Sequence, residues 1–188
     1  MFGNVRGKRA GYLPVSGPKF TRALVLLAVA AVYLLLISLP AYHLVLTDAR
    51  GQVLLSLPVQ EEERFAVSYQ HSVHQTPVVE VFQVTSRGEL CLVGSEFSTY
   101  GVGTPFLPGE GELKEINGRF VLEGMHRVFP EVRLQPHGLT RHQLLYRGRG
   151  YALLDYVNSG AVVVLQVRPG KLKQLWQDLS KGGMFDEP

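Results

Sequence analysis

Beyond residue 42, apolar and polar positions alternate in short runs broken by turn residues, the two-residue period of half-buried β-strands. The pattern predicts strands at 43–47, 52–57, 65–71, 78–84, 89–97, 113–116, 119–123, 132–135, 140–146, 151–156 and 161–168. Asn117-Gly118 separates two of these runs and is a strong hairpin signal, because both residue types tolerate positive φ. About ten short strands at this spacing predict an all-β fold, an antiparallel β-sandwich or barrel.

The pattern differs at both ends. From Ala23 to Leu39 the chain reads ALVLLAVAAVYLLLISL, 17 residues without a charge, long enough to extend about 25 Å as a helix, the short end of a bilayer crossing. A cleavable signal peptide would have a shorter apolar core, and cleavage after Ala41 would leave Leu39 where a small residue is wanted. An uncleaved anchor over 23–42 is therefore expected, following a basic tail over 1–22. At the other end, over 169–181, Leu172, Leu175, Trp176 and Leu179 recur at helical spacing behind Pro169, a residue suited to start a helix. The plain reading of this C-terminal amphipathic helix (within 169–188) is that its stripe covers one end of the sandwich. A partner's groove or the membrane surface are the alternatives.

Charge adds orientation. Arg6, Lys8, Arg9, Lys19 and Arg22 precede the apolar run, and no acidic residue occurs before Asp48. The remainder holds 14 basic against 16 acidic residues. The high pI thus belongs to the tail and not to a nucleic-acid-binding face, and no nucleic acid is expected as a partner. Positive charge before the run puts the N-terminus in the cytoplasm and the β-domain, 43–168, outside the cell membrane on a single span. Cys91 is the only cysteine, so no internal disulfide can form, and its apolar setting LCLV suits a buried, inert thiol.

Parity then selects candidate chemistry, since side chains alternate across a strand. His71 shares a face with Phe65, Val67 and Tyr69; Glu80 with Val78, Phe82 and Val84; His142 with Leu144 and Tyr146. Three ionisable groups on three apolar faces should be paired, because a buried unpaired charge is costly. His71, Glu80 and His142 are therefore a polar cluster that braces neighbouring strands, with His71–Glu80 the expected pair, or a small ligand- or metal-binding site in an apolar wall. His74 falls on the opposite parity from His71. With Pro77 and Val78-Val79 arguing against a helix, His71 and His74 make a poor metal pair, and no metal or cofactor is assigned. Ser72 beside His71 lacks a nucleophile-elbow context, so no catalytic residue is assigned and an extracytoplasmic hydrolase is the weakest reading. The Gly- and Pro-rich loop Tyr100-Gly101-Val102-Gly103-Thr104-Pro105 is a tight corner or, through Tyr100, Gly101, Gly103, Thr104 and Pro105, a contact for a ligand or partner.

Three segments together, Tyr69-Gln70-His71-Ser72-Val73, Pro77-Val78-Val79-Glu80 and Tyr100-Gly101-Val102-Gly103-Thr104-Pro105, resemble an uncharacterised bacterial family known only as a domain of unknown function. The resemblance covers roughly residues 43–168, with an echo in Thr140-Arg141-His142 and Gly160-Ala161-Val162. His71, Pro77 and Glu80 carry the match, and Val102 stands where alanine is expected. Members are small proteins typically encoded beside TRAP transporters of the TAXI type. The resemblance implies a setting and no activity: an extracytoplasmic accessory protein beside a TRAP transporter membrane subunit or its TAXI-type solute receptor.

Overall fold

A computed structural model describes residues 18–98 and 109–182, with the side chains of 18–20, 36–38, 176 and 179–182 left out. The chain forms two compact units, Met1–Leu39 and Pro40–Pro188. The first contains helix α1, Pro18–Ser38. It is apolar on every side, and side chains such as Leu26 and Leu27 are 70% and 71% exposed. Among the described residues no helix is long and apolar enough to cross a membrane; the described side chains of α1 run only from 21 to 35.

The second unit is built from eleven strands, arranged as two antiparallel sheets consistent with a sandwich. The smaller sheet comprises β1 (Tyr42–Asp48), β2 (Val53–Val59), β8 (Glu131–Leu134) and β11 (Val163–Pro169) in the order β2-β1-β11-β8. The larger comprises β3 (Arg64–Gln70), β4 (Pro77–Val84), β5 (Leu90–Phe97), β6 (Glu112–Ile116), β7 (Arg119–Phe129), β9 (Gln143–Tyr146) and β10 (Arg149–Ala152). Its order is β10-β9-β3-β4-β5-β7-β6. The first and last strands lie side by side, so both ends of the β-domain meet in the smaller sheet.

One apolar core joins the inner faces. Leu44, Leu46, Val59, Val163 and Leu165 from the smaller sheet pack with Phe65, Val67, Phe82, Val84, Leu90, Leu122 and Leu144 from the larger. Each fully buried leucine or valine of this set contributes about 1.5–3 kcal/mol by leaving water. Phe65 and Phe82 are register partners whose rings stack at 5.5 Å, a geometry that adds about 0.5–1.5 kcal/mol beyond burial.

The turns explain much of the architecture. Asn117 (φ 52°) and Gly118 (φ 73°) form the predicted two-residue hairpin between β6 and β7. Several boundaries differ from the alternation pattern. The predicted run 151–156 splits into β10 and a 3₁₀ turn, Leu153–Asp155. The run 140–146 becomes strand only at Gln143, because Thr140 belongs to a turn closed by its amide donating to the His137 carbonyl. β7 runs past Glu123 to Phe129. Gly124, at φ 73°, absorbs an irregularity there that would have broken a regular strand. β5 carries the matching irregularity, since Val93 is skipped by the registers with both neighbouring strands.

Helix α2, Lys171–Gly182, follows β11 directly. Its start is held by the Gly170 amide, which donates to the Ala41 carbonyl at 2.8 Å. Lys173 Nζ pairs with Glu61 and sits 4.0 Å above the Tyr42 ring.

Candidate functional site

Strand registers set the neighbours on the inner face of the larger sheet. Val67 of β3, Glu80 of β4, Ser95 of β5 and Leu122 of β7 are successive cross-strand partners, with Leu144 of β9 completing the row. Directly opposite partners share a face. Val67, Leu122 and Leu144 are buried, so Glu80 and Ser95 are two adjacent polar side chains in an apolar row. The next row, towards the β3–β4 turn, holds Tyr69, Val78, Phe97 and Phe120.

Tyr69 connects the polar groups. Its hydroxyl donates to Glu80 Oε1 at 3.3 Å, diagonally across the β3–β4 pair. Its ring stacks on that of His142, with centroids 5.1 Å apart and planes 21° from parallel. His142 precedes β9 and is held by its carbonyl, which accepts from the Leu153 amide at 2.9 Å. Its Nδ1 lies 3.0 Å from Thr140 Oγ1. The result is a strip His142–Tyr69–Glu80–Ser95 crossing an otherwise apolar face.

Burial dominates the electrostatics. Glu80 is half-buried, and loss of hydration raises its pKa above the ordinary carboxyl value, against the opposing pull of the Tyr69 hydroxyl and the Arg127 charge. Burial raises the Tyr69 phenol, and Glu80 adds to the shift. His142 is lowered by burial and by His137, which favours its neutral ring. Arg127, on β7, is engaged with Glu110, its Nε donating to Glu110 Oε2 at 2.6 Å. That hydrogen bond holds the Glu110 carboxyl below its ordinary range.

Ser95 is the exception to polar satisfaction. It is 1% exposed, and its Oγ has no hydrogen-bond partner among the described residues. Buried hydroxyls without partners are uncommon and call for an explanation. Here the cause is local. The irregularity at Val93 shifts the parity of β5, so that Leu90 and Leu92 face the core before it and Ser95 and Phe97 after it.

The structure brings Glu80 and His142 together through Tyr69, and it moves His71 elsewhere. The expected pair His71–Glu80 is not formed. β3 ends at Gln70, and the strand position opposite Glu80 is Val67. His71 lies four residues further on, roughly 13 Å at the rise of a strand. The loop between β3 and β4 instead turns at 72–74, bringing the His71 and His74 rings to 5.0 Å, stacked. The two histidines that strand parity separated are therefore neighbours. His71 Nδ1 accepts from the Val73 and His74 amides, both at 3.3 Å, which ties that nitrogen to its own loop.

Other predicted residues fall as follows. Tyr100, Gly101, Gly103, Thr104 and Pro105 lie outside the described residues, so the glycine loop has no structural account. Leu172 is half-buried and Leu175 is 55% exposed, while the side chains of Trp176 and Leu179 lie outside the described set. Cys91 is buried as expected, its Sγ 3.4 Å from His126 Nδ1. Among the described residues no three His, Cys, Asp or Glu side chains are grouped to hold a metal ion. Tyr69, Ser95, Arg127 and Glu110 were not singled out by the pattern. Tyr69 shares the parity of Phe65 and Val67 and was legible as an inward polar group. Ser95 depends on the irregular pairing of β5 and was not.

Residues 65–153 match the model of a family described as a domain of unknown function, DUF1850. The matched stretch includes Tyr69, Glu80, Ser95, Arg127 and His142, the residues from which the polar strip is built. It leaves out α1, β1, β2, β11 and α2, and is narrower than the span suggested by the motifs. No curated protein and no solved structure gives a match.

Proposed function

We propose that the chain is a membrane-anchored extracytoplasmic accessory protein, its β-domain held beside a TRAP-type transporter of the TAXI class or that transporter's solute receptor. The observation that carries the anchor is α1, helical over Pro18–Ser38 and apolar around its whole circumference. Helices of that kind are buried in protein or in lipid. Its first residues follow a tail with basic residues and no acidic ones, the arrangement that retains an N-terminus in the cytoplasm. The transporter context comes from the family resemblance. It is tested by recovering the tagged full chain from solubilised membranes after crosslinking. Transporter membrane subunit or receptor in the eluate supports the reading; recovery of neither overturns it.

A second reading has its own observation. The unpartnered Ser95 hydroxyl beside Glu80, in line with Tyr69 and His142, is suited to hydrogen-bond a small polar ligand. Elemental analysis and thermal-shift screening with divalent ions and organic anions decide it. No bound metal and no stabilisation by any of them would leave the strip a structural brace.

A further inference from the structure

The C-terminal helix is fastened to the point where the chain enters the β-domain. Tyr42 and Pro169 are the last partners of the β1–β11 ladder, and the Gly170 amide donates to the Ala41 carbonyl at 2.8 Å. A Cβ on Gly170 would overlap the Pro40 carbonyl, so glycine allows the close approach. α1 ends at Ser38, four residues before Tyr42. A chain of that length extends roughly 14 Å at most. The start of α2 is therefore confined near the end of α1 whatever the angle between the two units.

The side of α2 turned to the β-domain is cationic. Lys173 Nζ pairs with Glu61, lies 4.0 Å from the Tyr42 ring centroid and donates to the Ser86 carbonyl at 3.3 Å. At 3.6 residues per turn, the stripe of Leu172, Leu175, Trp176 and Leu179 is centred about 110° around the helix from Lys173. The domain does not cover that stripe, and Leu175 is 55% exposed. The exposed residues Gln174, Gln177 and Asp178 lie away from it. Lys171 flanks the stripe and Lys181 falls on the polar side.

We propose that α2 is an interfacial helix, lying with its Leu172–Leu175–Trp176–Leu179 stripe in the headgroup region of the bilayer that holds α1. This rests on the anchor reading of α1. A short apolar stripe, one tryptophan and lysines at its margin are the composition of helices that lie on a membrane and do not cross it. The tether supplies what composition lacks, since it brings the stripe to the bilayer without any partner protein. Glu61, the acidic group at this contact, is paired with Lys173. α2 thereby gives the β-domain a second hold on the membrane and restricts its rotation about the anchor.

Trp176 is the chain's only tryptophan and serves as the reporter. The full chain, reconstituted alone into phosphatidylcholine–phosphatidylglycerol vesicles, should emit at shorter wavelength than a water-exposed indole. Lipids brominated near the glycerol end of the acyl chain should quench it roughly twofold, and lipids brominated near the chain terminus less, as expected for burial ~5–10 Å deep. Leu175→Glu, at an exposed position, should abolish the quenching while alkaline extraction still leaves the chain in the vesicles. Retention under alkali with a water-exposed, unquenched Trp176 overturns the proposal and leaves the anchor standing. Stronger quenching from the chain terminus also overturns it. Release of the chain by alkali overturns both readings.

Discussion

Replacing Ser95 by alanine should stabilise the protein, an unusual direction for a core position. The side chain is 1% exposed, and its Oγ has no hydrogen-bond partner among the described residues. Leaving a buried hydroxyl unsatisfied costs about 1–3 kcal/mol relative to its hydrated state in the unfolded chain. Alanine removes that cost and sacrifices only the dispersion contacts of one oxygen atom, a few tenths of a kcal/mol by the usual ~0.1–0.2 kcal/mol per atom pair. A net gain of about 1 kcal/mol follows, equivalent to roughly 2–4 °C in the unfolding midpoint of a domain of this size. Thermal denaturation of the detergent-solubilised full chain, followed by the circular dichroism of its strands, measures this directly. A paired buried serine would behave oppositely, losing about 1 kcal/mol on truncation. A lowered midpoint would therefore show that Ser95 Oγ is hydrogen-bonded in solution and would refute the pairing argument for this row. If a small polar ligand occupies the site, Ser95→Ala should stabilise the empty protein and weaken the ligand's own stabilising effect.

Two further substitutions separate electrostatics from packing. Glu80 has a folded-state pKa raised by burial, so its contribution is fully present in acid, below the unfolded value, and is lost as pH rises through the folded one. Glu80→Gln, which retains an acceptor for Tyr69, should accordingly be more stable than the parent at neutral pH, with the difference fading in acid; denaturation across a pH series checks the sign. Gly170→Ala drives a methyl into the Pro40 carbonyl and should cost about 1–3 kcal/mol, as overpacking does. It should also speed tryptic cleavage at Lys171 and Lys173 as α2 loosens from Ala41.

Much of the fold is legible residue by residue. Asn117-Gly118 announces its hairpin because few other dipeptides accept two positive φ angles. The alternation in β3 and β4 correctly turns Val67, Val78 and Phe82 inward and carries Glu80 with them. It also puts His142 on the face of Leu144, and the ring stack on Tyr69 is consistent with that parity. The helical stripe after Pro169 corresponds to α2. These readings succeed because a strand's or helix's side-chain period is a local property of the backbone.

The candidate site shows where local reasoning stops. Extending β3 to His71 assumed an unbroken strand, but the chain turns after Gln70, bringing His71 onto His74 and leaving Tyr69 as the partner of Glu80. Counting parity along β5 fails at Val93, and the count along β7 fails at Gly124. One extra residue exchanges the two faces of everything after it. From the sequence alone come an apolar N-terminal helix, a strand-rich domain, a terminal amphipathic helix and the inward tendency of Glu80 and His142. Each follows from a residue pattern a few positions long. The tertiary structure alone decides that Ser95 lies beside Glu80, that Tyr69 links Glu80 to His142, and that α2 leaves the domain where β1 begins. Those outcomes depend on register and on contacts between residues far apart in the chain, and no short stretch of sequence contains them.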